Sequence, residues 1–335
     1  MLQPLATRRQ IDPRTIARVL IALRLNLSLL SSILSALGVF VLLIAVGFFP
    51  IVVRPAFAAI ISRLFLRDSS IAAPPQTLAE PGLILPALSL CQRELVRFLR
   101  QRHRVIGALA TPIVFWLLIG GGMGHSFTGG NDKEGYMQYF FPGTVLMILL
   151  FTAIFSTISV IEDRREGFLQ SVLVAPVSRM AVVLGKVLGG TVLATGQGFV
   201  FLLLAPTVGI HLTVISMIEA VGVMLLISFA LTALGLCIAW RMSSTQGFHA
   251  IMNLFLMPMW FLSGALFPAT GAMGPLTWIM RLNPLSYGLS VLRSVLEQQD
   301  DPGLWFGLLV SSLFAAIMFG LASMIATGTV STDLQ

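Results

Sequence analysis

Six segments of roughly 20 residues with few charges follow one another after residue 104: about 105–125, 137–161, 187–209, 215–240, 249–268 and 304–328. A hydrocarbon core of about 30 Å takes roughly 20 helical residues at about 1.5 Å each, so each run is long enough to cross a bilayer. Only 10% of the 335 residues are charged and 56% are apolar, where a soluble protein carries about 25% charged residues. The chain therefore reads as an all-α polytopic membrane protein, with one membrane domain in place of two or three soluble ones.

The net charge of +7 at pH 7 suggests nucleic acid at first sight. That partner needs a solvated basic face, whereas these basic residues punctuate apolar runs and so read as topology. In the connections of the six-span core, one side collects Arg93, Arg97, Arg100, Arg102, Arg104, Arg164, Arg165, Arg179, Lys186 and Arg241, and the other has Lys133, Arg281 and Arg293. Ten against three places the first side in the cytoplasm, with both ends of the core, in a cell (inner) membrane protein. Cys91 and Cys237 form neither a disulfide framework nor a CxxC pair.

A seventh apolar stretch, 33–53, has five Arg before it and Arg54, Arg63 and Arg67 after it, so no single crossing satisfies the charge rule. It reads as an extra span, as an interfacial or hairpin segment, or as sequence translated upstream of the native start. The Pro-rich stretch 69–85 reads as a linker. Residues 1–80 are accordingly an N-terminal extension and 81–335 the membrane domain.

Over 88–104 the helical period is clear: Arg93, Arg97, Arg100 and Arg104 form one stripe, with Leu88, Cys91, Leu95, Phe98 and Leu99 opposite. That pattern suits a helix lying in the interface, apolar face toward acyl chains and guanidinium groups toward anionic lipid. A solvated helix packed on a partner is the alternative.

Between the second and third spans, the charged run Glu162, Asp163, Arg164, Arg165, Glu166 marks the exit from the membrane. Residues 167–175 then form a short helix that stops before Pro176, and Ser178 caps the next helix. Gly167 opens that short helix, and its apolar Phe168, Leu169, Val172 and Leu173 need cover from a partner protein or from the chain's own bundle. Between the fifth and sixth spans, 269–303 breaks into two short apolar helices, the second opened by Asn283 as cap and Pro284 in the first turn. Together with Trp278, Tyr287, Arg281 and Arg293, all interfacial anchor types, they read as a re-entrant pair dipping into the outer leaflet.

The string EDRREGFLQSVLVAPVSRMAVVLGK resembles the charged loop and Pro-Val-Ser-Arg turn of permease subunits in the type-2 ABC transporter family. FLSGALFP and LNPLSYGLSVLRSVL resemble that family's fifth-span end and Asn-Pro-Leu segment, so the likeness covers roughly residues 86–328 and leaves 1–80 outside it. The resemblance implies a gate helix at 88–104, six spans, a coupling helix at about 167–175 and re-entrant helices at 275–297. It also implies a homodimer or pseudo-dimer around the substrate path, with ATPase subunits docked from the cytoplasm.

A phosphate cradle of the form GxxxxGK[ST] does not occur in these 335 residues. The chain is therefore expected to bind no cofactor and to perform no enzymatic step, with ATP and Mg on a separate ABC ATPase subunit. The four histidines are scattered without metal-ligand spacing, and Glu219 reads as a solvated interfacial acid. Gly185 and Gly189 have the spacing that lets helices approach closely, Pro258 predicts a kink, and Asn253 and Ser263 are polar candidates for a path or for helix–helix bonds. The expected function is export of a lipophilic or amphipathic compound, with export of a polysaccharide or lipid-linked glycan as the alternative. A secondary transporter coupled to an ion gradient is the reading from a different class.

Overall fold

Glycines and small residues decide where the helices of this chain can touch. The computed structural model describes residues 82–123, 135–174, 177–268, 274–299 and 301–328, all within one compact unit, Thr77–Gln335. The expectations for 33–53 and for the linker lie outside the described residues.

Helix α1 (Ile84–Arg100) ends at Gln101, whose ψ of 72° leaves the helical region. After a 70° bend the chain enters α2 (Arg102–Phe115), which runs on through a π turn (Trp116–Gly120) to Met123. The helix expected over 88–104 is thus cut at Gln101. Arg104 belongs to α2, and its side chain lies outside the described residues. Next come α3 (Tyr136–Ser156), α4 (Ile158–Arg165) and α5 (Phe168–Val174), with Gly167 at φ +76° turning the chain between α4 and α5.

Side-chain caps start the next helices. The Ser178 side chain accepts from the Ala181 amide at 3.2 Å and opens α6 (Arg179–Leu202). Thr213 and Ser216 form a reciprocal capping box for α7 (Val214–Ala239), and Ser244 caps α8 (Thr245–Trp260). The helix expected over 187–209 therefore begins two turns earlier and carries Lys186 inside it. Pro258 lies within α8, but the backbone departs from helix later, in the π turn Phe261–Ala265, where Gly264 adopts φ +87°. Then follow α9 (Gly274–Leu282), α10 (Pro284–Glu297) and α11 (Leu304–Gly328).

Among the described residues, five helical segments are long and apolar enough to cross a membrane: Tyr136–Arg165, Arg179–Leu202, Val214–Ala239, Thr245–Ala265 and Leu304–Gly328. The bent pair of α1 and α2 makes up to six if it counts as one. Among the described residues the protein is all-helical. α3 is apolar all round and its side chains from Phe140 to Ile154 are all buried, which makes it the centre of the bundle. α6 and α7 pack against it, α1 against α6, and α10 and α11 against α7.

The outer helices are inverted relative to a water-soluble bundle. α11 turns Gly307, Ser311, Ala315, Ala322 and Ala326 inward and exposes Trp305, Leu309, Leu313, Ile317 and Met324. Large apolar groups outside and small ones inside fit a surface solvated by lipid, where close backbone approach and dispersion hold helices together.

On α6 the same logic is quantitative. A Cβ placed on Gly185 comes within 2.7 Å of the Ala87 carbonyl oxygen, and one on Gly189 within 2.8 Å of the Glu94 Cβ, whereas one on Gly196 meets nothing within 4 Å. Gly189→Ala is expected to lower the thermal midpoint of the purified protein, at a cost of about 1–3 kcal/mol from overpacking. Gly196→Ala, in the same helix, should stay within about 0.5 kcal/mol of the parent. Thermal unfolding of the two variants side by side checks the contrast.

Candidate functional site

The buried face of α1 is made by Ala87, Leu90, Cys91, Glu94 and Phe98. Glu94 sits on this apolar face because α6 approaches so closely, through Gly185 and Gly189, that Lys186 can reach it. Lys186 Nζ donates to Glu94 Oε1 at 2.5 Å, to Ser159 Oγ at 3.2 Å and to Asp163 Oδ2. The Asp163 side chain is 0% exposed and that of Lys186 3%.

Asp163 collects two further cations from α1. Arg93 grips it with both guanidinium arms, Nη2 to Oδ1 at 2.7 Å and Nη1 to Oδ2 at 3.0 Å, and Arg97 Nη1 donates to Oδ1. Arg97 also reaches Glu162 and Glu166, each at 3.1 Å. Arg93, Arg97 and Lys186 thus share Glu94, Glu162, Asp163 and Glu166 in one network that ties α1, α4 and α6 together. Burial disfavours the Arg93 charge, but the hydrogen bond to Asp163 and its negative charge outweigh that cost, so the guanidinium is held above its usual pKa.

The arginine stripe is therefore not a uniform lipid-facing surface. Arg93 and Arg97 turn inward to carboxylates, and Arg100 alone of the described three is exposed. Arg93 also covers the Phe168 ring, its guanidinium carbon 3.6 Å from the ring centre. Leu169 is buried, so these two residues of α5 are covered by the chain itself. Val172 is half-buried, and the Leu173 side chain lies outside the described residues. What α5 and its lead-in expose is Glu166, Gln170 and Ser171.

The remaining charges of the loop stitch it to the turn between α7 and α8. Arg164 donates to the carbonyls of Trp240 at 2.5 Å and Met242 at 3.3 Å, and Arg165 reaches the Ser243 carbonyl at 2.8 Å. Five elements are thereby fastened at one end of the bundle. The ion pairs and hydrogen bonds of the network hold these elements together.

The opposite end carries the other predicted residues. Asn283 Oδ1 accepts from the Leu285 amide at 3.1 Å, and Asn283 Nδ2 donates to the Met259 carbonyl at 2.6 Å, so one side chain both starts α10 and ties it to α8. Pro284 occupies the first turn, and Tyr287 donates its hydroxyl to the Arg281 carbonyl at 2.8 Å. Sequence reasoning singled out neither Glu94 nor Lys186. A carboxylate at the i+3 and i+4 positions from apolar residues is the signal that marks Glu94.

Removing one member of a buried ionic network leaves the others uncompensated. Asp163→Asn is expected to cost on the order of 3 kcal/mol, while Glu166→Gln, at an exposed pair, should cost less than about 1 kcal/mol. Asp163→Asn combined with Lys186→Met should lose less than the sum of the single losses, because each change removes the other's stranded charge. Denaturation of the four proteins in detergent measures the cycle.

Residues 87–296, well over half of the chain, match the family model described as ABC-2 type transporter. The chain is 27% identical to the transport permease ycf38 of Cyanophora paradoxa over 236 residues, covering 69% of this chain and 79% of that protein. It is 26% identical to Nodulation protein J of Rhizobium meliloti (strain 1021) over 223 residues, covering 65% and 84%. To the multidrug ABC transporter permease YbhR of Escherichia coli (strain K12) it is 25% identical over 173 residues, covering 49% and 45%. The matched stretch takes in the ionic network, α5 and the Asn283 segment alike, and this chain belongs to the ABC-2 type transporter family.

Proposed function

We propose that this chain is the permease subunit of an ATP-driven exporter, working as a homodimer with separate ATPase subunits, and that it moves a lipophilic or amphipathic compound outward. The observation that carries the proposal is the mounting of α5. This short helix is fastened through Arg93 and the Asp163 network to α1, α4 and α6, while Glu166, Gln170 and Ser171 remain available to a docking protein. A push on α5 is then delivered to three helices at once. ATP and Mg belong to the docked subunit, since no phosphate cradle occurs in these 335 residues.

By the alternation of the apolar runs, ten of the thirteen core basic residues fall in connections on the side that carries α5, which supports a cytoplasmic placement of that side in a cell membrane. α8 supports the second copy by presenting the polar Asn253 beside Leu254 and Phe255, all three exposed within one chain. A polar side chain among exposed apolar ones is suited to a helix–helix contact or to the edge of a substrate path better than to lipid.

The test is association with an ABC ATPase subunit co-expressed with this chain. Gln170→Trp and Ser171→Trp place bulk on the outer face of α5 without touching the network. Each is expected to lower co-purification of the ATPase and substrate-stimulated hydrolysis by about tenfold, with the thermal midpoint of the permease unchanged. Full association and stimulation in both variants overturns the docking site.

A further inference from the structure

At the end of the bundle opposite α5, a cavity of about 450 Å³ opens between α10 and the π turn after α8. Its volume falls in the range of small-molecule sites, about 300–1,000 Å³. The floor is apolar, from Met280 and Leu289, and backs onto Ser263 and Gly264. One wall is a hydroxyl row on α10, Ser286, Ser290 and Ser294, spaced four residues apart so that all three face the same way.

The charges around it cancel. Arg281 and Arg293 are matched by Glu297 and Asp301, so the cavity has no net field to draw in an anion. Some of its polar contacts are long, although Ser286 and Ser294 also donate to the Met280 and Ser290 carbonyls at 2.7 and 2.9 Å. Asp301 Oδ2 accepts from Ser290 and Ser294 at 3.3 Å each, near the limit for hydroxyl donors.

Arg293 rests 4.3 Å above the Tyr139 ring, and its Nη2 reaches the Gly264 and Tyr139 carbonyls only at 3.4 and 3.5 Å. Its buried Nε makes no hydrogen bond among the described residues, the Glu297 carboxylate standing 3.8 Å away. A buried donor left in this condition costs free energy until an acceptor arrives.

We infer that this cavity binds the neutral, hydroxyl-rich head group of an amphipathic molecule. Vicinal hydroxyls can accept from the Arg293 guanidinium while donating to Asp301, as the weak serine bonds give way, and the carbon face of such a ring covers Met280 and Leu289. A phosphate or sulfate would meet the carboxylates of Asp301 and Glu297 as well as the arginines. The inference deepens the exporter reading by naming what its outer end holds. Binding to the permease alone needs no ATPase, so failure of either proposal leaves the other standing.

The experiment is saturation-transfer NMR on the full chain in lipid nanodiscs, with methyl β-D-glucopyranoside and maltotriose as probes and inorganic phosphate as competitor. Saturation transfer to a sugar probe is expected, weakened by about tenfold in apparent affinity in Arg293→Gln, which removes one charge-assisted donor set. Ser290→Leu, at an exposed position of the rim, should weaken it similarly with an unchanged thermal midpoint, so that loss of fold is not mistaken for loss of the site. No transfer to either sugar overturns the inference. So does equal transfer in parent and both variants, or displacement of the sugar by phosphate at equal concentration, which would make this an anion site.

Discussion

Asp163 is the group on which one end of the molecule depends. Its carboxylate is fully buried and takes cations from a helix 70 residues earlier and a helix 23 residues later. Bringing these charges out of water costs several kcal/mol per ion, and their mutual attraction about offsets that cost. The network therefore contributes little net stability compared with an apolar core of the same shape. What it provides is exclusivity: any arrangement that separates α1, α4 and α6 strands a buried charge, so the three helices hold one register or lose it together. Apolar packing alone, which tolerates sliding, would not impose that.

The network is possible only because α1 and α6 come so close. Gly185 and Gly189 strip that face of α6 of side chains, and Lys186 between them reaches across to Glu94. The same device recurs on α11, where Gly307 lets Val291 of α10 approach until an added Cβ would lie 2.6 Å from it. With lipid as the surrounding solvent, burial of apolar area no longer distinguishes inside from outside. Close backbone contact and satisfied polar groups then decide which face turns inward.

Much of this was legible in the sequence, and the failures have physical causes. Apolar run lengths located the candidate spans, and Ser178 and Asn283 announced their helices because a cap is a local interaction. The period of the arginines was equally visible, but a period gives a stripe and not its neighbour: anionic lipid and Asp163 are both satisfactory partners for guanidinium. Lys186 was counted only as a cytoplasmic loop cation because a span drawn from residue 187 leaves it in a loop, where a lysine needs no explanation. Once Ser178 is accepted as the cap, Lys186 lies two turns inside an apolar helix, and such a cation demands a buried carboxylate. Pro258 removes one hydrogen bond inside α8, whereas Gly264 at φ +87° reverses the local backbone and has no signal beyond being a glycine.

α3 and α4 join the two ends. Together they form one candidate span of 30 residues, Tyr136–Arg165, about 45 Å long at helical rise. At one end Tyr136 and Tyr139 donate their hydroxyls to the Leu266 and Gly264 carbonyls, at 2.9 and 3.0 Å, and the Tyr139 ring carries Arg293. At the other end sits Asp163. In between, the helix is gripped on all sides, with Trp260 Nε1 donating to the Gly143 carbonyl at 2.9 Å. Such a rod cannot bend locally without opening cavities in a close-packed interior. A displacement imposed at the Asp163 network would therefore be carried along its length to Gly264 and Arg293 at the far end, which the Tyr139 hydroxyl and ring hold to the same rod.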